Sequence, residues 1–284
     1  SSKILQLPEM IWHLEEPISA ASYVPYYFLC KEARKHVTVV LAGEGSDELF
    51  GGYVHYKNLN RANKLPRFMK KIVSTNLANS IASKFPVRFY DKFFDYPVSM
   101  GEEGKKRLLK YLKNVNKEVD SYLLNSTLFD EDNKKQLYTE KLSNKIKKPL
   151  KEFTLEKFES VQNDNFVDKV MRVEQRVWLP DRILLQQDKI SMAHSLEARE
   201  PFLDYSLVEF ANKIPLKMKI NGSVSKYILK KSLRNILPNK ILDRKKIGFF
   251  VPIEDWLFKK DFKFVIDKVL DPKIIKKENY FNYS

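Results

Sequence analysis

Apolar residues along the 284-residue chain fall mostly at helical spacing, with one exception. Residues 7–36, including PYYFLCKEARKH, carry helical patterning. A Lys-rich stretch from about Arg61 to Asp164 also reads as helical, with Leu108, Leu112, Val115, Val119 and Tyr122 following one another at helical intervals. Phe166, Val170, Val173 and Val177 form a further stripe that should end before Pro180. Asp181 and Arg182 then open another helix, running to about His194. The exception is VTVVLA, Val37–Ala42, a run of apolar or β-branched residues. It predicts a short strand buried on both faces, as in a parallel sheet flanked by helices. The expectation is a helix-rich α/β protein. No internal repeat, low-complexity linker or domain boundary interrupts the pattern.

Composition supports a folded chain, at 43% hydrophobic and 13% aromatic residues. No apolar run approaches the ~18 residues of a membrane span, and the N-terminus lacks a targeting pattern. A single cysteine, Cys30, leaves no internal disulfide and no multi-cysteine metal site. A cytoplasmic location is expected. The 51 Lys and Arg against 36 Asp and Glu give a net +15, which attracts polyanions. These lysines interleave with apolar periodicity, as in KKRLLKYLKNVNK, so they read as solvated helix faces and nucleic acid is not expected as a partner. The aromatic cluster FPVRFYDKFFDYP reads as core or a packed lid rather than a base-stacking platform.

The stretch VTVVLAGEGSDELFGGY holds four of the chain's eight glycines and, directly behind the apolar run, Glu44, Asp47 and Glu48. In open α/β sheets ligands bind beyond the carboxyl ends of the strands. Gly43 and Gly45 let the backbone bend there and let a ligand approach closely. Clustered carboxylates repel, so they need a cation, a basic partner or full solvation. Hard oxygen ligands beside a nucleotide point to Mg²⁺. A solvated acidic turn capped by Ser46 or Asp47 accounts for the composition equally well.

A resemblance separates these readings. GEGSDELFGGY resembles the signature turn of the asparagine synthetase family, ATP-dependent amide-forming enzymes that also include β-lactam synthetases. EEPISAASYVPYY, LPDRILLQQDKISMAHSLEAREPFLD and LPNKILDRKKIGFFVPIEDWL are similar to three further family blocks, in the family's order. The resemblance implies a PP-loop ATP pyrophosphatase-like parallel sheet, here incomplete. Residues 1–60 would hold its end with the signature turn, 61–164 a helical insertion and 165–284 a helical part carrying the Lys246 segment. It implies ATP and Mg²⁺ as cofactors. A carboxylate, aspartate in the commonest members, attacks the α-phosphate of ATP to give an acyl-adenylate and pyrophosphate. Ammonia from a glutaminase domain then displaces AMP.

Carried over by position, Ala42 and Gly43 would contact the adenylate through backbone. Glu44 falls on the catalytic glutamate. Asp47 falls on the aspartate associated with Mg²⁺ and pyrophosphate, with Glu48 beside it. Lys246 takes the position of the lysine that balances phosphate charge; without the motif it would read as a solvated lysine. Gly248, Phe249, Pro252 and Trp256 extend that match. Asp188, Lys189, Glu197 and Arg199 match the family block, as ligand contacts or as ion pairs that shape the pocket.

The chain also departs from the family pattern. It holds no Ser-Gly-Gly-x-Asp-Ser pyrophosphate loop and no N-terminal cysteine of the glutaminase kind. Ala20 and Ala21 stand where many members have an acid after Glu-Pro. The expectation is the C-terminal portion of a longer synthetase, or a split subunit, that needs a missing N-terminal half as its partner. A non-catalytic binding subunit is the alternative. Retention of Glu44, Asp47 and Lys246 together argues against it.

Overall fold

The computed structural model describes residues 6–18, 21–87, 101–162, 165–244, 251 and 266–283. Lys246, Gly248, Phe249, Pro252 and Trp256 lie outside the described residues, as do Ala20 and most of the aromatic cluster. Two compact units assemble from discontinuous stretches, residues 1–50 with 174–274 and residues 51–173 with 275–284. The divisions fall after residues 50 and 173, where the expected segments divide after 60 and 164, and the last ten residues group with the middle of the chain.

The first unit is built on α1 (Leu7–Leu14) and α2 (Tyr23–Ala33). Pro8 sits in the first turn of α1, where its missing N–H is no loss. Glu15 ends that helix in the left-handed region at φ 57°, its N–H returning to the Ile11 carbonyl. Met10, Leu14, Tyr23, Val24, Tyr27 and Cys30 bury against Ile190 and Leu196. Each fully buried aliphatic side chain of this kind contributes about 1.5–3 kcal/mol. Ile190 comes from the helix Leu185–Met192. A six-residue π-helix, Leu179–Leu184, precedes it and takes Pro180 into its first turn. The expected helix stripe from Phe166 thus stops at Arg176, and the next helical segment opens just before the proline rather than after it.

Strand β1 (Val39–Leu41) pairs in parallel with β2 (Glu197–Arg199), Val40 opposite Ala198. The expected burial of VTVVLA on both faces does not hold. Val40 packs against the α1–α2 cluster, but Val39 is 45% and Leu41 76% exposed. Successive strand side chains alternate, and among the described residues only the face with Val40 and Ala198 is covered. A hairpin of β3 (Ile220–Asn221) and β4 (Val224–Ser225) turns at Gly222 and leads into Lys226.

The second unit is helical. The apolar stripe through Leu108 and Tyr122 is divided between Gly101–Lys113 and Glu118–Ser126. The break is held by the Ser121 hydroxyl, which donates to the Asn114 carbonyl at 2.8 Å. Tyr122 packs on Phe158 of the helix Leu150–Glu159, ring centroids 5.2 Å apart. Among the described residues no helix is long and apolar enough to cross a membrane.

Candidate active site at the signature turn

The turn begins where β1 ends. The Ala42 N–H donates to the Arg199 carbonyl at 2.8 Å, carrying the parallel ladder one residue past the strand. The Ser46 hydroxyl donates to the Gly43 carbonyl at 2.8 Å, and the Leu49 N–H reaches the Gly45 carbonyl at 2.9 Å. Together they close the turn into α3 (Ser46–Phe50). Gly45 has φ +84°, and a Cβ there would collide with the Leu203 side chain. Both conditions require glycine. Leu49 and Phe50 anchor α3 by burial with Ala211, Phe202 and Leu207.

This scaffold gathers carboxylates. The Glu44 N–H donates to Glu200 Oε2 at 3.0 Å, and Gln187 Nε2 donates to the other Glu200 oxygen. Asp47 Oδ1 pairs with Lys226 Nζ at 3.0 Å, and the same ammonium donates to Ser46 Oγ at 2.8 Å. Lys226 holds this position from a left-handed backbone, φ +53°. Such a conformation costs a β-carbon-bearing residue about 1 kcal/mol or more. Glu48 is buried at the start of α3, its backbone carbonyl accepting from Gln175 Nε2 at 3.2 Å. Gln175 in turn accepts from Asn212 Nδ2 at 3.0 Å.

The electrostatic outcome is concentrated on Glu44. Burial pushes its carboxyl up to about 7, with Glu200, Glu48 and Asp47 adding to the rise and Lys226 opposing it. A glutamate poised there can accept a proton at neutral pH, which an ordinary glutamate does poorly.

The sequence-expected residues divide accordingly. Ala42, Gly43, Glu44, Asp47 and Glu48 share the turn. Asp188 is exposed, and Lys189 pairs with Glu15 at the end of α1. Glu197 and Arg199 pair with each other on the exposed side of β2 at 2.6 Å. Lys246 lies outside the described residues. Three residues escaped the sequence reading: Glu200, Gln187 and Lys226. Glu200 and Gln187 lie within a block that carries the resemblance, where the paired acids of EARE were the available signal. Lys226 has no local signal.

The asparagine synthase family profile matches residues 2–284. The chain belongs to the asparagine synthase family. Glutamine-hydrolysing asparagine synthetase 1 of Bacillus subtilis is 36% identical over 258 residues, covering 89% of this chain and 37% of the relative. Asparagine synthetase 3 of the same organism is 26% identical over 253 residues, 86% of this chain and 32% of the relative. An amidase of Gibberella zeae is 24% identical over 269 residues, 89% of this chain and 38% of the relative. The chain therefore spans about a third of these relatives' length.

For an asparagine synthase family member, the question at Asp47 is Mg²⁺. Among the described residues no group of three or more His, Cys, Asp or Glu side chains could hold a metal by itself. Mg²⁺ bound with a nucleotide needs only one or two carboxylates, the phosphates and water supplying the rest. Asp47, partly exposed and already holding a cation, fits as such a single ligand.

Proposed function

We propose that this chain forms part of a ligase that makes an amide from a carboxylate and ammonia, consuming ATP through an acyl-adenylate. Aspartate is the carboxylate the family resemblance favours, and glutamine the ammonia source. The observation that carries the reading is the half-buried Glu44 carboxyl, raised to about 7 in a turn built at the exit of a parallel strand.

In this reading Ala42 and Gly43 present backbone to the adenylate, which Gly43 allows because space is open around its α-carbon. Asp47 is the carboxylate for Mg²⁺, which when bound would neutralise charge developing on the phosphates. Glu48 braces the turn beside it. Asp188, Lys189 and Lys246 complete the nucleotide site, Lys246 as fixed positive charge at the departing phosphates. Glu44 takes a proton from the attacking ammonia as the new C–N bond forms. The pyrophosphate loop, the rest of the sheet and the glutaminase come from protein outside these 284 residues. The Gibberella amidase among the relatives and the alanines after Glu-Pro keep other carboxylates in view as substrates.

The test is Glu44→Gln in the full-length protein. Loss of general-base assistance should slow amide formation by about 10²–10⁴-fold with adenylation largely retained. Amide formed at the parent rate would overturn the reading. The 284-residue chain alone should give no ATP–pyrophosphate exchange, and robust exchange would show that no outside loop is needed.

A further inference from the structure

The inference concerns Glu200 and rests on Glu44 serving as the base of the proposed reaction. Glu200 stands directly after β2, far from Glu44 in sequence, yet its two oxygens are separately engaged. One accepts the Glu44 N–H at 3.0 Å, and the other accepts Gln187 Nε2. Gln187 is itself buried on the helix Leu185–Met192, whose Ile190 belongs to the core of the first unit. The carboxylate therefore cannot swing to solvent without breaking a hydrogen bond to a buried amide, which is expensive when the amide is left unpartnered. Among the described residues Gln187 Oε1 has no hydrogen-bond partner, so the amide is engaged through its nitrogen, on Glu200.

Such an arrangement works against local stability. An acid is fixed beside a turn that already carries Glu44, Asp47 and Glu48, where an apolar side chain would avoid the repulsion. A purely structural anchor for the Glu44 N–H needs an acceptor, not a charge. The charge needs its own explanation, and the base beside it supplies one.

We propose that Glu200 is a positioning residue for Glu44, pinning the turn backbone at that residue and holding a fixed negative charge against its carboxyl. The other groups facing Glu44 are Asp47 and Glu48 of α3, Lys226 ahead of the helix Tyr227–Ser232, and the Tyr26 phenol of α2. Burial keeps the Tyr26 proton well beyond the neutral range, with Cys30, Glu200 and Glu44 contributing, so Tyr26 does not exchange protons with the pair. Of the charged neighbours Glu200 raises Glu44 most, after burial.

The experiment is the pH profile of amide formation by the full-length protein. Its acid limb reports ionisation of the base. Glu200→Gln retains length and an acceptor but removes the charge, so the limb should move down by about half to one pH unit. Glu200→Asp restores the charge and should bring the limb back toward the parent position, which a merely structural role would not do. A folded Glu200→Gln whose limb coincides with the parent, while Glu44→Gln still slows amide formation by about 10²-fold or more, overturns the role of Glu200 and leaves that of Glu44 standing. Parent-like turnover by Glu44→Gln overturns the reading beneath it. Should Glu200→Gln fail to fold, Gln187→Leu frees the carboxylate to solvent and should move the limb in the same direction; an unmoved limb there overturns the proposal.

Discussion

The signature turn and the helical unit use carboxylates in opposite ways. In the helical unit, acids meet lysines near the surface. Lys110 bridges Asp130 and Asp132 at 2.7 Å each, Lys151 meets Asp120 at 2.7 Å, and Lys134 meets Glu131 at 2.7 Å. Lys110 draws the Asp130 carboxyl below its ordinary range, helped by backbone N–H groups at the cap of Glu131–Leu137. At the turn, burial and three neighbouring acids push Glu44 up instead. The first pattern is what selection for solubility and local order produces. The second destabilises the empty protein, and a destabilising arrangement that is firmly built points to a task outside folding.

The largest expected effect tests that contrast at Asp47. Asp47→Asn in the full-length protein should slow adenylation by about 10²-fold or more, with partial recovery at high Mg²⁺. Lys246→Ala should slow the same step without recovery, because the metal cannot replace a fixed ammonium. The measurement is pyrophosphate release across a Mg²⁺ series. An Mg²⁺-insensitive Asp47→Asn defect would return the turn to the same class as the surface pairs.

The next effect is structural. Gly45→Ala meets both a positive φ and the Leu203 side chain, so it should cost about 2 kcal/mol or more and be read as a lowered melting temperature. Lys226→Met should cost about 1–2 kcal/mol, since its side chain is only 23% exposed and its ammonium bonds both Asp47 and Ser46.

How much of this was legible in the sequence follows from distance along the chain. The turn announces itself locally: glycines where the backbone must bend and acids behind an apolar run. The Glu44–Glu200 contact joins residues 156 apart, and Lys226 reaches Ser46 across 180. Neither leaves a periodic trace. Helical stripes gave the helices, but not the break at Asn114–Lys117, which is fixed by side-chain bonds to backbone carbonyls. VTVVLA misled on burial because composition records that a strand is apolar, not how many of its faces are covered. Exposed Val37, Val39 and Leu41 should make the 284-residue chain self-associate on concentration, as light scattering would show.

A smaller effect tests the sign at Glu44. A carboxyl raised from 4.5 to about 7 keeps its proton in the folded state while the unfolded chain has already lost it. Stability from this group is therefore highest below about pH 4.5 and falls as pH rises to about 7. Glu44→Gln should melt like the parent at pH 4 and higher than the parent at pH 8, by up to about 1 kcal/mol after discounting for solvent screening. Equal melting at both pH values would remove the cost on which the contrast depends.

The smallest effect belongs to the helical unit, and its smallness is the point. Burial pulls the Lys110 ammonium down, but the hydrogen bonds it donates to Asp130 and Asp132 outweigh that and hold its proton more firmly than usual. The Lys110–Asp132 pair is nevertheless open to water, its side chains 40% and 71% exposed, while Asp130 is 27% exposed. Ion pairs of this kind are worth about 0.2–1 kcal/mol and fade with salt. Lys110→Met should lose that much at low ionic strength and almost nothing at ~1 M salt, where the Debye length is about 3 Å. Asp130 has its carboxyl lowered, so its contribution is present above the ordinary aspartate range and is lost as pH falls through the lowered value. Lys110→Met should accordingly narrow the difference in melting between pH 7 and pH 3. Salt should rescue Lys226→Met less, because Ser46 is buried and the Lys226 and Asp47 side chains are each only 23% exposed to the solvent that does the screening. Were Lys110→Met as damaging as Lys226→Met and equally indifferent to salt, the two regions would be using charge alike, and the carboxylates at the turn would need no functional explanation.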